Sequence, residues 1–237
     1  KMIDLSLIWI LIIGLGVLIY VVLDGFDLGI GILFPFISDR QERDVMMNTV
    51  APVWDGNETW MVLGGAGLFA AFPLVYSTVL SALYMPIILM VIALIFRGVA
   101  FEFRFKANKT KHLWDQAFIW GSILSSFLQG VILGAYIQGI ETTNGIYTGG
   151  GLDWLTPFSL FTGISVVVLY ATLGCGWLIF KTEKMLQNRM FELMPKLLIS
   201  LLMIFVCVSI YTPLAHPQIA ERWFSQPQLF YFSPVPV

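Results

Sequence analysis

The chain has 237 residues, 58% of them hydrophobic and 12% charged, with a formal net charge of −2 and a mean hydropathy of +0.83. Ordinary globular chains are about one quarter charged, and a water-soluble domain this poor in charge would present an apolar surface and aggregate. The balance argues against a soluble fold and, with no basic patch or recognition motif, against a nucleic-acid partner.

Apolar runs of the length that spans a bilayer cover residues 5–23, 52–72, 79–100, 117–140, 158–180 and 197–212. Helices are the expected solution, because each backbone polar group in lipid must be paired within its own segment. The short alternating segments of a membrane barrel are absent. The reading is an all-α polytopic transmembrane bundle of about six spans, one domain over residues 1–237. The opening Lys1-Met2-Ile3-Asp4-Leu5 lacks a basic leader and no small-residue cleavage site follows, so the first run reads as a retained helix. The stretch 97–111 holds Arg97, Arg104, Lys106, Lys109 and Lys111, and 181–196 holds Lys181, Lys184, Arg189 and Lys196, whereas 141–157 has neither Lys nor Arg. The positive-inside bias then puts the first two stretches in the cytoplasm and the third outside. By alternation, the mixed-charge loop 39–44 is cytoplasmic and the N-terminus is outside. Trp9, Tyr76, Tyr84, Trp114, Trp154, Trp177 and Trp223 fall where an interfacial belt would place them. The Gly-rich run 144–151 reads as a flexible connection and not a phosphate loop, since no strand precedes it and no Lys-Ser/Thr follows. Ser233-Pro234-Val235-Pro236-Val237 is suited to begin another apolar segment, and no internal repeat is evident.

Three constellations could carry chemistry. In Leu23-Asp24-Gly25-Phe26-Asp27-Leu28-Gly29-Ile30-Gly31 the two acids share a helix face. They sit toward the inner end of the first run, where ionisable groups usually face a protein interior or a wet path. Gly25, Gly29 and Gly31 would let another backbone approach closely. The simpler alternative is a helix end dipping into the headgroups with both acids solvated. In Pro52-Val53-Trp54-Asp55-Gly56-Asn57-Glu58-Thr59-Trp60, Pro52 suits a first helical turn. Asp55 and Glu58 either complement the helix dipole or form a cytoplasmic mouth that passes protons to Asp27 or Asp24. In the third, Arg97 can neutralise a carboxylate on a neighbouring helix or meet lipid phosphate. Glu102 and Arg104 can pair with each other or with partner loops. Interfacial snorkelling accounts for all three and is the simpler reading.

Metal chemistry finds little support. His112 lies in a Lys-rich loop and His216 just past the last run, whereas a buried haem iron needs an axial side chain from inside the bundle. Met85, Met90 and Met203 read as filling, and no metal-spaced Cys/His cluster exists. Cys175 and Cys207 lie toward opposite membrane faces and read as buried small side chains, not a disulfide. A redox metal, if one serves this protein, belongs to another chain.

The ordered motifs Leu23–Gly31, Ala51–Trp60, Gly64-Gly65-Ala66-Gly67-Leu68-Phe69-Ala70-Ala71-Phe72-Pro73 and Phe96–Arg104 together resemble subunit II of cytochrome bd-type quinol oxidases. The similarity is close from Ile3 to about Arg104 and looser beyond, and Asn57-Glu58-Thr59-Trp60 resembles the cyanide-insensitive branch. The resemblance implies a chain that is not catalytic alone but serves an enzyme complex of the bacterial cytoplasmic membrane, one that oxidises ubiquinol or menaquinol and reduces oxygen to water. It implies two b-type haems and a d-type haem in a partner, subunit I, with none ligated by this chain. It implies proton uptake from the cytoplasm near Asp55, with Asp24 and Asp27 as further participants. Trp54 and Asn57 from the same motif, with Gly25, Gly29, Arg97, Glu102 and Arg104, are the expected structural or partner-facing residues. Room for a structural quinone and a small extra subunit also follows from the resemblance, as do about eight helices, so the chain is expected to lack the family's last ones. The rival reading from the residues alone is an ion-coupled secondary transporter with Asp24, Asp27 and Asp55 as coupling sites. Against it, no pair of interrupted spans in related halves is evident.

Overall fold

The structure, a computed structural model, describes residues 5–215 and 217–225. His216 and the terminal Ser233–Val237 lie outside the described residues. The order is α1 (Leu5–Leu33), a 3-10 turn (Phe34–Phe36), α2 (Arg40–Val50), α3 (Trp54–Ala71), α4 (Pro73–Arg104), α5 (Lys111–Gln138), β1 (Thr142–Thr143), β2 (Ile146–Tyr147), α6 (Pro157–Lys181), α7 (Lys184–Ala215) and α8 (Pro217–Phe224). The expected all-α membrane bundle is thus the observed fold, with one two-stranded hairpin added.

Among the described residues, five helices are long and apolar enough to cross a membrane: α1 with its 3-10 turn, α4, α5, α6 and α7. The expected sixth, α3, is not among them, because its first two turns carry Asp55, Asn57, Glu58 and Thr59. It still lies antiparallel along α1, with Gly64 against Val17 and Gly67 against Ile13. Pro52 precedes this helix in a turn and does not open it. The spans also run past their expected ends. The first continues ten residues beyond Leu23, so Asp24 and Asp27 stand inside it. The basic stretch 184–196, expected as a loop, is the first part of α7.

Local signals set these limits. Asp39 caps α2 by accepting from the Gln41 and Glu42 amides at 2.8 and 2.9 Å. Thr156 and Ser159 form a capping box at α6, with Pro157 at its first turn. In α4, Pro86 lacks an amide hydrogen and crowds the preceding turn, and Leu83 takes the non-helical φ −117, ψ 18. The Gly-rich connection begins as an ordered hairpin. Asn144 (φ 53) and Gly145 (φ 77) make its left-handed turn, and Thr78 on α4 donates to the Gly145 carbonyl at 2.7 Å.

α5 packs on α1, α4 and α6, and α1 also packs on α3 and α6. Small residues permit these crossings, since lipid offers no hydrophobic drive for helix pairing. At the α1–α6 crossing a Cβ on Gly29 would fall on the Tyr170 carbonyl and the Gly174 backbone. The Gly25 position faces the Tyr170 ring. The core gathers at one end of the bundle, around Leu28, Leu33, Phe34, Met47, Phe118 and Leu178, while the first half of α1 and most of α7 turn apolar side chains outward. Arg40, Arg43, Arg104, Lys106, Lys109, Lys111, Lys181 and Lys184 collect at that same end, here called the basic end.

Gly29→Leu is expected to destabilise the bundle by at least the roughly 1–3 kcal/mol of core overpacking, because backbone cannot yield as a side chain can. Gly14→Leu, at a position with nothing within 4 Å, is the control that leaves thermal unfolding in detergent unchanged.

Candidate functional site

The motif acids meet inside the bundle. Asp24 and Asp27 of α1 and Arg97 of α4 are each 0% exposed. Arg97 Nη1 lies 2.8 Å from Asp24 Oδ1, and Arg97 Nη2 lies 3.8 Å from Asp27 Oδ2. From α3, Asn57 Nδ2 donates to Asp27 Oδ2 at 2.8 Å. Glu58 Oε2 accepts from Arg97 Nη1 at 3.4 Å, its side chain 24% exposed. The spacing builds this centre. Asp24 and Asp27 share a face of α1, and Asn57 and Glu58 sit in the polar first turns of the antiparallel α3. Gly121 lets α5 lie directly on the Arg97 backbone. Trp54 and Phe101 stack at 4.9 Å, with the Arg97 guanidinium carbon 5.8 Å from each ring.

Three carboxyl groups therefore share one guanidinium. An unpaired charge is costly in a low dielectric, so Arg97 is the counter-charge on which all three carboxyl groups depend. The headgroup alternative for Asp24 and Asp27 is excluded by their full burial. The snorkelling reading of Arg97 and Arg104 fails for the same reason, whereas Glu102 does reach outward, 66% exposed and paired with Lys106.

The centre opens on a groove of about 390 Å³ between α3 and α4. Asp55, Glu58 and Thr59 supply its polar lining, and Trp54, Met61, Val91, Leu94 and Ile95 its apolar wall. Asp55 is exposed and Glu58 partly so, which makes Glu58 the link between groove and interior.

Two polar groupings were not evident in the sequence. At the basic end, buried Arg104 pairs through Nε with Asp115 and through Nη1 with Asp44 at 2.6 Å. Lys111 reaches Asp44 at 2.8 Å and Arg43 reaches Asp115 at 3.2 Å. Arg104 thus pairs with Asp44 and Asp115 and not with Glu102. Burial works against the Asp44 charge, but the hydrogen bonds from Lys111 and Arg104 outweigh it and hold the carboxyl below its usual pKa. The second grouping lies deeper, where Tyr170 donates to Gln129 Oε1 at 2.7 Å and Gln129 Nε2 donates to Tyr20 at 2.8 Å. Tyr20 stands one turn before Asp24 on α1. The mixed charge of 39–44 was a partial signal for the first grouping, and nothing in the sequence signalled the second.

Among the described residues no group of His, Cys, Asp and Glu could hold a metal ion. His112 is exposed, Met85 and Met203 face outward, and Met90 is core. Cys175 is buried as expected, but Cys207 is exposed on the outward face of α7, and both are free.

A helical membrane bundle with an acid–arginine centre at its core defines a multi-pass membrane protein built around buried carboxylates. The family model for cytochrome bd terminal oxidase subunit II matches residues 5–237, and the chain belongs to that family. It is 34% identical over 197 residues to the cytochrome bd-I ubiquinol oxidase subunit 2 of Escherichia coli K12, covering 78% of this chain and 51% of the relative. It is 32% identical over 195 residues to the cytochrome bd ubiquinol oxidase subunit 2 of Bacillus subtilis, covering 80% and 57%. A probable cytochrome oxidase subunit 2 of Haemophilus influenzae is 34% identical over 191 residues, covering 76% and 50%. The chain spans about half the length of these relatives, and none of them is named as a transporter.

Arg97→Met is expected to cost about 3–5 kcal/mol by leaving carboxylates buried and unpaired. Adding Asp24→Asn and Asp27→Asn should recover much of that loss, as read by thermal unfolding. Asp44→Asn should lower stability at neutral pH by roughly 1 kcal/mol or less, since the carboxyl is a third exposed. A carboxyl with a lowered folded-state pKa stabilises above its ordinary range and stops doing so as pH falls through the lowered value. The gap between Asp44→Asn and the parent protein should therefore close on acidification, which a melting series against pH would follow.

Proposed function

We propose that this chain is the haem-free subunit of a quinol oxidase, and that its acid–arginine centre lies on the path by which protons reach the oxygen-reducing site. The observation that carries this reading is the set of three carboxyl groups around Arg97, reached from a groove that Asp55 and Glu58 line. Reducing oxygen to water consumes one proton per electron. A proton that arrives with each electron keeps the reaction site neutral, which lowers the cost of reduction in a low dielectric.

In this reading the partner is subunit I, which carries two b-type haems and a d-type haem that supply the electron and oxygen chemistry. This chain supports that subunit. Asp55 and Glu58 collect a proton from the basic end, taken as the cytoplasmic side of the bacterial inner membrane, with the N-terminus outside. Arg97 holds Asp24 in place, and Asn57 orients Asp27 as the inner acceptor. Ubiquinol or menaquinol is the electron donor. A structural quinone and a small third subunit remain compatible with the outward apolar faces of α1 and α7.

Asp55→Asn and Glu58→Gln, separately and together, are to be made in the assembled oxidase. Oxygen consumption should fall about tenfold or more in the double variant, in line with loss of a positioned proton carrier, while haem absorbance per complex stays constant. Normal turnover in the double variant would remove the groove from the proton path.

A further inference from the structure

Two charged layers lie within this bundle, and an aromatic layer separates them. The acid–arginine centre forms one layer. The Arg43, Asp44, Arg104, Lys111 and Asp115 network at the basic end forms the other. Arg97 and Arg104 stand seven residues apart on one face of α4, about 10 Å along the axis. Between them sit Phe101 of α4, Phe118 of α5 and Phe34 of the 3-10 turn, all buried. Phe34 meets Phe118 edge to face at 4.8 Å, and Phe118 meets Phe101 at 5.1 Å. The guanidinium of Arg97 faces the layer 5.8 Å from Phe101, and that of Arg104 faces it from the other side, 5.5 Å from Phe34.

We infer that Phe34, Phe101 and Phe118 form a dry septum that closes the direct route from the basic-end ion network to Asp24 and Asp27, leaving the α3–α4 groove as the route by which protons reach these acids. The inference rests on the reading of the acids as a proton path and names the residues that decide its direction. A proton crosses a protein interior along hydrogen-bonded groups or water, and three phenyl rings in contact supply no partner for either. Without them a second thread would be short. Asp115 lies one turn before Phe118 on α5, and Ser122 lies one turn after it. Ser122 is fully buried against Gly31, and its hydroxyl has no hydrogen-bond partner. Asp27 lies one turn before Gly31 on α1. Asp115, Ser122 and Asp27 would therefore form a ladder through the core if the ring of Phe118 were absent.

The test uses the complete oxidase in oriented vesicles, with Cys175 and Cys207 replaced by Ala. Ser122→Cys, with all three Phe in place, should react with a small methanethiosulfonate added at the basic end at least about tenfold more slowly than Lys109→Cys, because reactivity follows access to water. Equal labelling at the two positions would overturn the septum whether or not any Phe variant assembles. Adding Phe118→Ser to Ser122→Cys should raise labelling several-fold. In the slow Asp55→Asn, Glu58→Gln background, Phe118→Ser should restore several-fold of the lost oxygen consumption, and Phe118→Leu should restore none. An assembled Phe118→Ser complex that neither labels faster nor regains turnover overturns the proposal, as does equal rescue by Phe118→Leu. Normal turnover in the Asp55→Asn, Glu58→Gln background itself would instead sink the proton-path reading, and the labelling contrast would stand.

Discussion

A guanidinium with no exposure to solvent, set among three carboxyl groups, is the constraint around which the bundle is arranged. Charge inside a membrane protein is tolerated when it is paired and packed. Arg97 meets that condition with residues from two other helices, Asp24 and Asp27 on α1 and Glu58 on α3. The requirement explains why a helix with a polar first third lies along the apolar α1. Separated from α1 and α4, the start of α3 would place Asn57 and Glu58 in lipid. Joined to them, Asn57 orients Asp27 and Glu58 completes the shell of Arg97.

The same end of the molecule is layered. Residues 97, 101 and 104 of α4 and 115, 118 and 122 of α5 repeat at helical spacing, so each helix offers charge, ring and charge or hydroxyl in register with the other. The rings contribute in two ways. They fill the core between the layers, and their faces meet the guanidinium groups on either side, which offsets part of the cost of burying those cations. The ion network below ties α2, α4 and α5 together through Arg104, so the short α2 is held against the bundle by charge as well as by Met46, Met47 and Val50.

Much of this was legible in the sequence. The apolar runs gave the helices, and the acid–glycine and Trp-Asp-Gly-Asn-Glu motifs gave the residues that meet at the centre. Boundaries were less legible, because amphipathic ends such as 24–33 and 184–196 continue a helix after the hydropathy has dropped. The fate of Arg97 was ambiguous for a similar reason. A cation at the end of an apolar run reads as interfacial unless the length of the neighbouring helices is known. Gln129 and Tyr170 were invisible because each is an isolated polar residue with a partner on a helix far away in the chain, and Asp115 because it reads as one more charge in the polar stretch 109–116. Cys207 was misjudged because an apolar run in a membrane protein does not distinguish a lipid-facing side from a core-facing one. The Asn144-Gly145 pair did carry a hairpin signal, masked by the glycines that follow it.

The backbone contact of Gly29 with Gly174 bears on biogenesis. It joins α1 with a helix that leaves the ribosome much later, so α1 cannot reach its final seat until α6 has been made. During that interval Asp24 and Asp27 have no cation until α4 brings Arg97. The α1–α6 contact is therefore a late one, made after the chain has already supplied the Arg97 that pairs with Asp24.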